Sequence, residues 1–269
     1  MSDTADVSAR PGEAFTIDPL PEGAVFTIER PAKLNALTRP VLEGLAACID
    51  ALEAQGARLL VVTGRGERAF CAGTDLAELT GLAMPARMAK TAMARDLLVR
   101  LSRSRLTSVA AVNGLAYGGG LELAMACTLR IAAPHAALSL PEVKLGLLPA
   151  YAGTQFLPAI VGKARALEIM MTGRAIAAPE ALAIGLVHRI ADPRTPVLDQ
   201  ALAFGREVVR WSPSALAAIR RCVDAAGAEV TDAGLAAEDA AVRENFDSAD
   251  AREGVAAFLE KRPAVFGRG

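Results

Sequence analysis

Two short apolar runs, RLLVVTG at 58–64 and SVAAVNG at 108–114, constrain the fold more than any other feature of the chain. Each carries no charge after its first residue, each ends in glycine, and stretches with helical spacing lie between and beyond them. Short apolar runs of this kind are strands buried on both faces, the condition found in parallel sheets. Parallel neighbours cannot be joined by a tight turn, so the intervening helices must be crossovers. The expected fold class is therefore α/β and layered.

The helical segments fit that order. Thr38 is placed to N-cap a helix with Pro40 close behind, and Val41, Leu45, Cys48, Ile49 and Leu52 follow helical spacing until Gly56. Further helices are expected over 88–101 and over 121–128, the latter leading into a strand in LRIAA. Two extended pieces at 14–17 and 24–28 flank the turn-like DPLPEG and predict an opening hairpin. From Pro196 strand candidates cease, and helices are expected over 197–209, 213–225, 233–245 and 250–261. The chain thus reads as a loose tail at 1–13, an α/β core at 14–195 and a helical region at 196–269.

Composition excludes several function classes. Lys and Arg total 29 against 30 Asp and Glu, a net charge of −1, which offers nucleic acid or an anionic membrane no attraction. Mean hydropathy is +0.32. Yet the longest suspicious uncharged run, 106–121, contains Thr107, Ser108, Asn113 and four glycines, so no membrane span is expected. The first residues, MSDTADVSARPGEAF, lack a basic region followed by an apolar stretch and do not read as a secretory signal. Cys48, Cys71, Cys127 and Cys222 are widely spaced with no CxxC pair, so neither zinc site nor disulfide framework is indicated, and a reducing cytoplasmic setting is expected.

Familiar catalytic signatures fail on context. GRGERA at 64–69 matches a dinucleotide fingerprint, but AFCAGTD after it does not open a helix. The glycines at 118–120 lack the Lys-Ser/Thr of a phosphate loop. No GxSxG occurs, and His135 and His188, the two histidines, read as surface or packing residues.

Two segments share a design. FCAGTDLAEL and YGGGLELAM each set glycine before a helix-like stretch, offering backbone N–H groups that can stabilise negative charge developing on a carbonyl oxygen. The same glycines would also serve tight turns and close helix packing. Two acids, Glu122 and Glu142, stand at the ends of different elements. Buried together, such carboxylates have their titrations pushed apart, which suits acid and base roles near neutral pH; apart, they are ordinary solvated glutamates.

Six motifs, in order, resemble the enoyl-CoA hydratase/isomerase (crotonase) family: ERPAKLNALT at 29–38, LLVVTGRGERAFCAGTDLAEL at 59–79, VAAVNGLAYGGGLELAMAC at 109–127, LSLPEVKLGLLPAYAGTQFL at 138–157, ALEIMMTGRAIAAPEALAIGLV at 166–187 and AREGVAAFLEKRPAVF at 251–266. The likeness implies a spiral of ββα units with a C-terminal helical region, assembled as trimers or hexamers. It implies an acyl-CoA substrate, with no metal and no cofactor beyond the coenzyme A thioester itself. Residue by residue, it gives the N–H groups of Thr74 and Gly119 as the oxyanion hole, Glu122 as the group that activates water and Glu142 as the group that protonates Cα. It also implies that Lys33, Leu34, Ala72, Asp75, Leu76, Gly118, Tyr151 and Lys261 contact substrate, with Lys33, Leu34 and Lys261 on the CoA arm. A double-bond isomerase using the acid at 142 alone, or a non-catalytic acyl-CoA-binding protein, would keep the same fold.

The sequence departs from the family pattern in places. Ala150, Tyr151 and Ala152 stand where a Gly-rich segment is common, Phe156 where arginine is frequent, Thr128 where aspartate is common and Ala77 where lysine is often found.

Overall fold

The computed structural model describes residues 14–80, 82–225 and 248–267, with a few isolated positions between 233 and 244. Two compact units divide the chain, one reaching Gly205 and the other beginning at Arg206.

The first unit opens with an antiparallel hairpin of β1 (Phe15–Leu20) and β2 (Gly23–Ile28), in which Phe15 faces Ile28 and Leu20 faces Gly23. Its turn is shorter than the sequence suggests, because Asp18, Pro19 and Leu20 belong to β1. Pro19 is tolerated there since β1 is an edge strand. Helix α1 (Arg39–Ala54) buries Val41, Leu42, Leu45, Cys48, Ile49 and Leu52. Thr38 has the extended backbone of an N-cap, but its hydroxyl makes no cap bond and is buried without a partner among the described residues.

Then follow β3 (Leu59–Gly64), β4 (Ala69–Cys71), α2 (Leu76–Thr80), α3 (Met84–Arg103), β5 (Thr107–Val112), β6 (Leu115–Tyr117), α4 (Gly119–Ala126), β7 (Leu129–Ala132) and β8 (Ala137–Ser139). A 3-10 turn at Glu142–Leu145 leads to α5 (Gly153–Val161), α6 (Lys163–Thr172), β9 (Ile176–Ala177), α7 (Ala178–Ala183) and β10 (Arg189–Ile190). The helix read over 121–128 begins two residues earlier, so Gly119 and Gly120 form its first turn.

Six strands form one sheet in the order β1-β2-β3-β5-β7-β10, and four form another in the order β4-β6-β8-β9. Successive strands alternate between sheets: β3, β5 and β7 enter the large one in parallel, and β4, β6 and β8 enter the small one in parallel. Each repeat therefore lays down two strands and climbs, which is a spiral of ββα units. Strands β2, β3 and β5 are buried along their full length, and this is why their sequences read as unbroken apolar runs.

Two buried amides fasten the repeats. The Asn113 Nδ2 donates to the Gly64 carbonyl at 2.7 Å, and the Asn35 Nδ2 donates to the Ala69 carbonyl at 2.7 Å. They hold 64–69 as a loop between β3 and β4, so GRGERA opens no helix. Arg130, 6 % exposed, donates to the carbonyls of Cys127 at 2.8 Å and Leu186 at 2.7 Å. The first of these carbonyls lies just past the C-terminal end of α4, where a cation is favourable. His188 accepts the Arg130 backbone N–H at 3.1 Å, a packing role.

Helix α8 (Val197–Val209) spans the division between units. In the second unit, α9 (Pro213–Ala225) and α10 (Ala249–Leu259) are joined by the Ser212 hydroxyl, which donates to the Asp250 carboxylate at 2.8 Å. The helix expected over 233–245 lies largely outside the described residues. The one expected over 250–261 stops at Leu259, so Lys261 sits in the turn beyond it with a left-handed φ of +56. Among the described residues no helix is long and apolar enough to cross a membrane.

Candidate active site

The first pair of groups to consider is the Thr74 and Gly119 amides. Thr74 pairs with Leu37 in an isolated parallel bridge. Leu37 donates its N–H to the Gly73 carbonyl at 2.7 Å and accepts the Asp75 N–H at 3.0 Å. Backbone direction alternates along an extended segment, so the N–H of Thr74 points away from Leu37. It is freed by that bridge rather than by a helix start, since α2 begins two residues later and is only five residues long. Gly119 is the first residue of α4, where an N–H has no intrahelical partner.

The two segments are pressed together. A Cβ built on Gly73 would lie 3.1 Å from the Gly119 nitrogen, and one on Gly120 would lie 2.0 Å from the Cys71 carbonyl oxygen. Any side chain at 120 would drive α4 off β4. Gly118 has φ of +52, a backbone that L side chains rarely adopt, and the Glu142 carboxylate stands over it, with Oε1 3.0 Å from where a Cβ would be. The reading of the glycines as a means to close packing is realised, and that packing brings the Gly73 and Gly119 segments together.

Glu122 lies on α4 and is 1 % exposed. Its Oε1 accepts the N–H of Tyr151 at 2.8 Å and of Gly153 at 2.7 Å. Burial pushes its pKa up to about 7 and the charge of Glu142 adds to the rise, while the Gly153 and Tyr151 amides oppose it. Glu142 heads the 3-10 turn after Pro141. Burial raises its pKa as well, and its Oε2 is sealed from solvent with no hydrogen-bond partner among the described residues. A carboxyl oxygen in that position is better off carrying a proton than a charge.

The remaining expected residues divide. Gly118 lies beneath Glu142, and Tyr151, 3 % exposed, accepts a hydrogen bond from the Thr74 hydroxyl at 2.7 Å. Ala72 donates its N–H to the Leu34 carbonyl at 2.9 Å, which ties the 3-10 turn Pro31–Lys33 to this edge and leaves Lys33 exposed. Leu76 is 48 % exposed at the head of α2. Asp75 is engaged internally: its Oδ2 accepts from Arg30 at 2.8 Å and its Oδ1 accepts the Ala77 N–H at 3.1 Å. The Arg30 guanidinium holds the Asp75 carboxyl below its usual range. Lys261 belongs to the second unit.

Arg30 was not singled out by sequence, although it lies in ERPAKLNALT. It also donates to the Ala36 carbonyl at 2.7 Å and so fixes the segment that bridges Thr74. Its signal is a lone arginine two residues after an apolar strand, which composition and spacing cannot distinguish from a surface charge.

Comparisons with known proteins converge on one group. The family model described as enoyl-CoA hydratase/isomerase matches residues 23–269. A probable enoyl-CoA hydratase of Bacillus subtilis is 40 % identical over 245 residues, covering 90 % of this chain and 94 % of that one. A crotonyl-CoA hydratase of Syntrophomonas wolfei is 36 % identical over 252 residues, with 90 % and 94 % covered. The crystal structure of an enoyl-CoA hydratase from Bacillus anthracis superposes with a TM-score of 0.88 at 32 % identity, covering 94 % of this chain and 99 % of that one. The ββα spiral agrees with these matches, and the chain belongs to the enoyl-CoA hydratase/isomerase family.

Proposed function

We propose that the protein is an enoyl-CoA hydratase, adding water to a trans-2-enoyl-CoA to give a 3-hydroxyacyl-CoA. The observation that carries this is the pair of acids, one buried and met by two backbone amides and the other with an oxygen that has no hydrogen-bond partner among the described residues. The thioester oxygen docks on Thr74 and Gly119. Glu122 takes a proton from water as its oxygen bonds to Cβ, the C=C electrons move toward the thioester oxygen, and the resulting enolate is held by the two donors. Glu142 then gives its proton to Cα as the carbonyl re-forms. One proton enters the pair and one leaves it, so the net change is the addition of water. The names of the relatives from Bacillus subtilis and Syntrophomonas wolfei support the same reaction.

Purified protein given crotonyl-CoA is expected to bleach the absorbance of the conjugated thioester and to yield 3-hydroxybutyryl-CoA. Saturable binding without loss of that absorbance, for enoyl-CoAs of several lengths, would return the fold to a binding role.

Assembly into trimers or hexamers is part of the proposal. Of the apolar tail positions read from sequence, Val209 is buried and Leu198, Leu202 and Leu216 are half-buried, but Ile219 and Val223 are 60 % and 65 % exposed. In the first unit Leu145, Leu148 and Met171 are 60 %, 66 % and 71 % exposed. Apolar side chains left in water at this density call for a second copy. Light scattering at micromolar concentration is expected to give a mass three or six times that of the chain, and a pure monomer would refute this.

A further inference from the structure

We propose that Tyr151 is a specificity-determining residue that closes the acyl side of the site and confines the substrate to short enoyl-CoAs. The inference rests on the hydratase reading and adds the substrate class to it. Tyr151 touches three parts of the site at once: Glu122, Thr74 and Gly119. Its backbone N–H holds Glu122 at 2.8 Å, and its phenol oxygen accepts from Thr74 at 2.7 Å. The ring lies against Gly119, with Cδ2 and Cε2 each 3.0 Å from where a Cβ on that glycine would be.

An acyl group must start at the amides of Thr74 and Gly119 and present its Cβ to Glu122. Carbons beyond Cβ have to continue past these same three residues, where the ring lies against Gly119, its hydroxyl meets Thr74 and its backbone meets Glu122. The ring cannot swing aside cheaply, because it is anchored through its backbone at one end and its hydroxyl at the other. The next residue, Ala152, is held at φ of +79, a left-handed conformation that L side chains disfavour, which shows how closely the surrounding contacts determine this loop. At 3 % exposure, the side chain is a wall of the site and not a surface flap.

The test is a comparison of kcat/KM for crotonyl-CoA and trans-2-decenoyl-CoA. The parent protein is expected to prefer crotonyl-CoA. Tyr151→Ala is expected to raise the ratio of decenoyl to crotonyl efficiency by about 10-fold or more, the scale on which pocket space for apolar groups discriminates. Tyr151→Phe, which keeps the ring and loses the bond to Thr74, is expected to retain the parental preference. If Tyr151→Ala does not fold, Tyr151→Val reads the same ratio. A parent that uses decenoyl-CoA as efficiently as crotonyl-CoA, or a ratio unmoved in the folded Ala or Val variant, would overturn the proposal. If no enoyl-CoA is hydrated at all, the hydratase reading fails separately. Dissociation constants for butyryl-CoA and decanoyl-CoA then decide the chain-length claim by the same ratio.

Discussion

Glu142→Gln is expected to lower both hydration of crotonyl-CoA and exchange of the Cα proton by about 10² to 10⁴, the usual worth of a positioned acid or base. Both reactions need a proton delivered to or removed from Cα, and the group proposed to serve that carbon is the one whose Oε2 has no hydrogen-bond partner among the described residues. Glutamine there can donate a hydrogen bond but cannot give up a proton. Glu122→Gln is expected to behave differently. It should lose hydration by a similar factor, since water is no longer activated, yet keep measurable Cα exchange, because Thr74 and Gly119 still hold the enolate. Gly119→Pro removes one of those donors and is expected to abolish both reactions with both acids intact. Exchange followed by deuterium incorporation into butyryl-CoA, beside the hydration assay, separates the cases. Near-parental rates in both glutamine variants would show that the acids are ornaments of a binding site.

The same Glu122→Gln change is expected to stabilise the fold, and increasingly so as pH rises. The folded-state pKa of Glu122, about 7, lies above its ordinary 4.5, so the folded protein holds this proton more tightly than the unfolded chain. That contribution is fully present below pH 4.5 and is lost as pH climbs through 7, where the buried carboxyl must become a charge. Glutamine has the same shape, still accepts from Tyr151 and Gly153, and does not titrate. The stability difference between variant and parent should therefore be small in mild acid and reach about 3 kcal/mol above neutrality. Denaturant unfolding at a series of pH values measures it. A difference that stays flat with pH, or that shrinks as pH rises, would mean that Glu122 is not desolvated as described.

The parts of this architecture that rest on local pattern were legible in the sequence. Strands β3 and β5 announced themselves because each is buried on both faces, and α1 because its core residues recur with helical spacing. Glu122 and Glu142 stood out as acids at the ends of apolar segments. Strands β4, β6 and β9 were invisible, since two or three residues are too few to show any period. The helix start read at DLAEL is present as α2, but the backbone direction at Thr74 is set by a single bridge to Leu37, far upstream, which local sequence does not show. The bond between Thr74 and Tyr151 joins residues 77 apart, and the pairing of Arg30 with Asp75 spans 45. Such contacts are decided by how the spiral stacks, which no window of local sequence contains.

That stacking has an evolutionary consequence. Thr74 comes from the repeat that holds β3 and β4, Gly119 and Glu122 from the next, and Glu142 and Tyr151 from the one after. The donors assigned to the enolate and the side chain proposed to face the acyl group are thus inherited on separate segments of the gene. Under that proposal a lineage can change the side chain at 151, and with it its diet of substrates, while the backbone amide that meets Glu122 is kept.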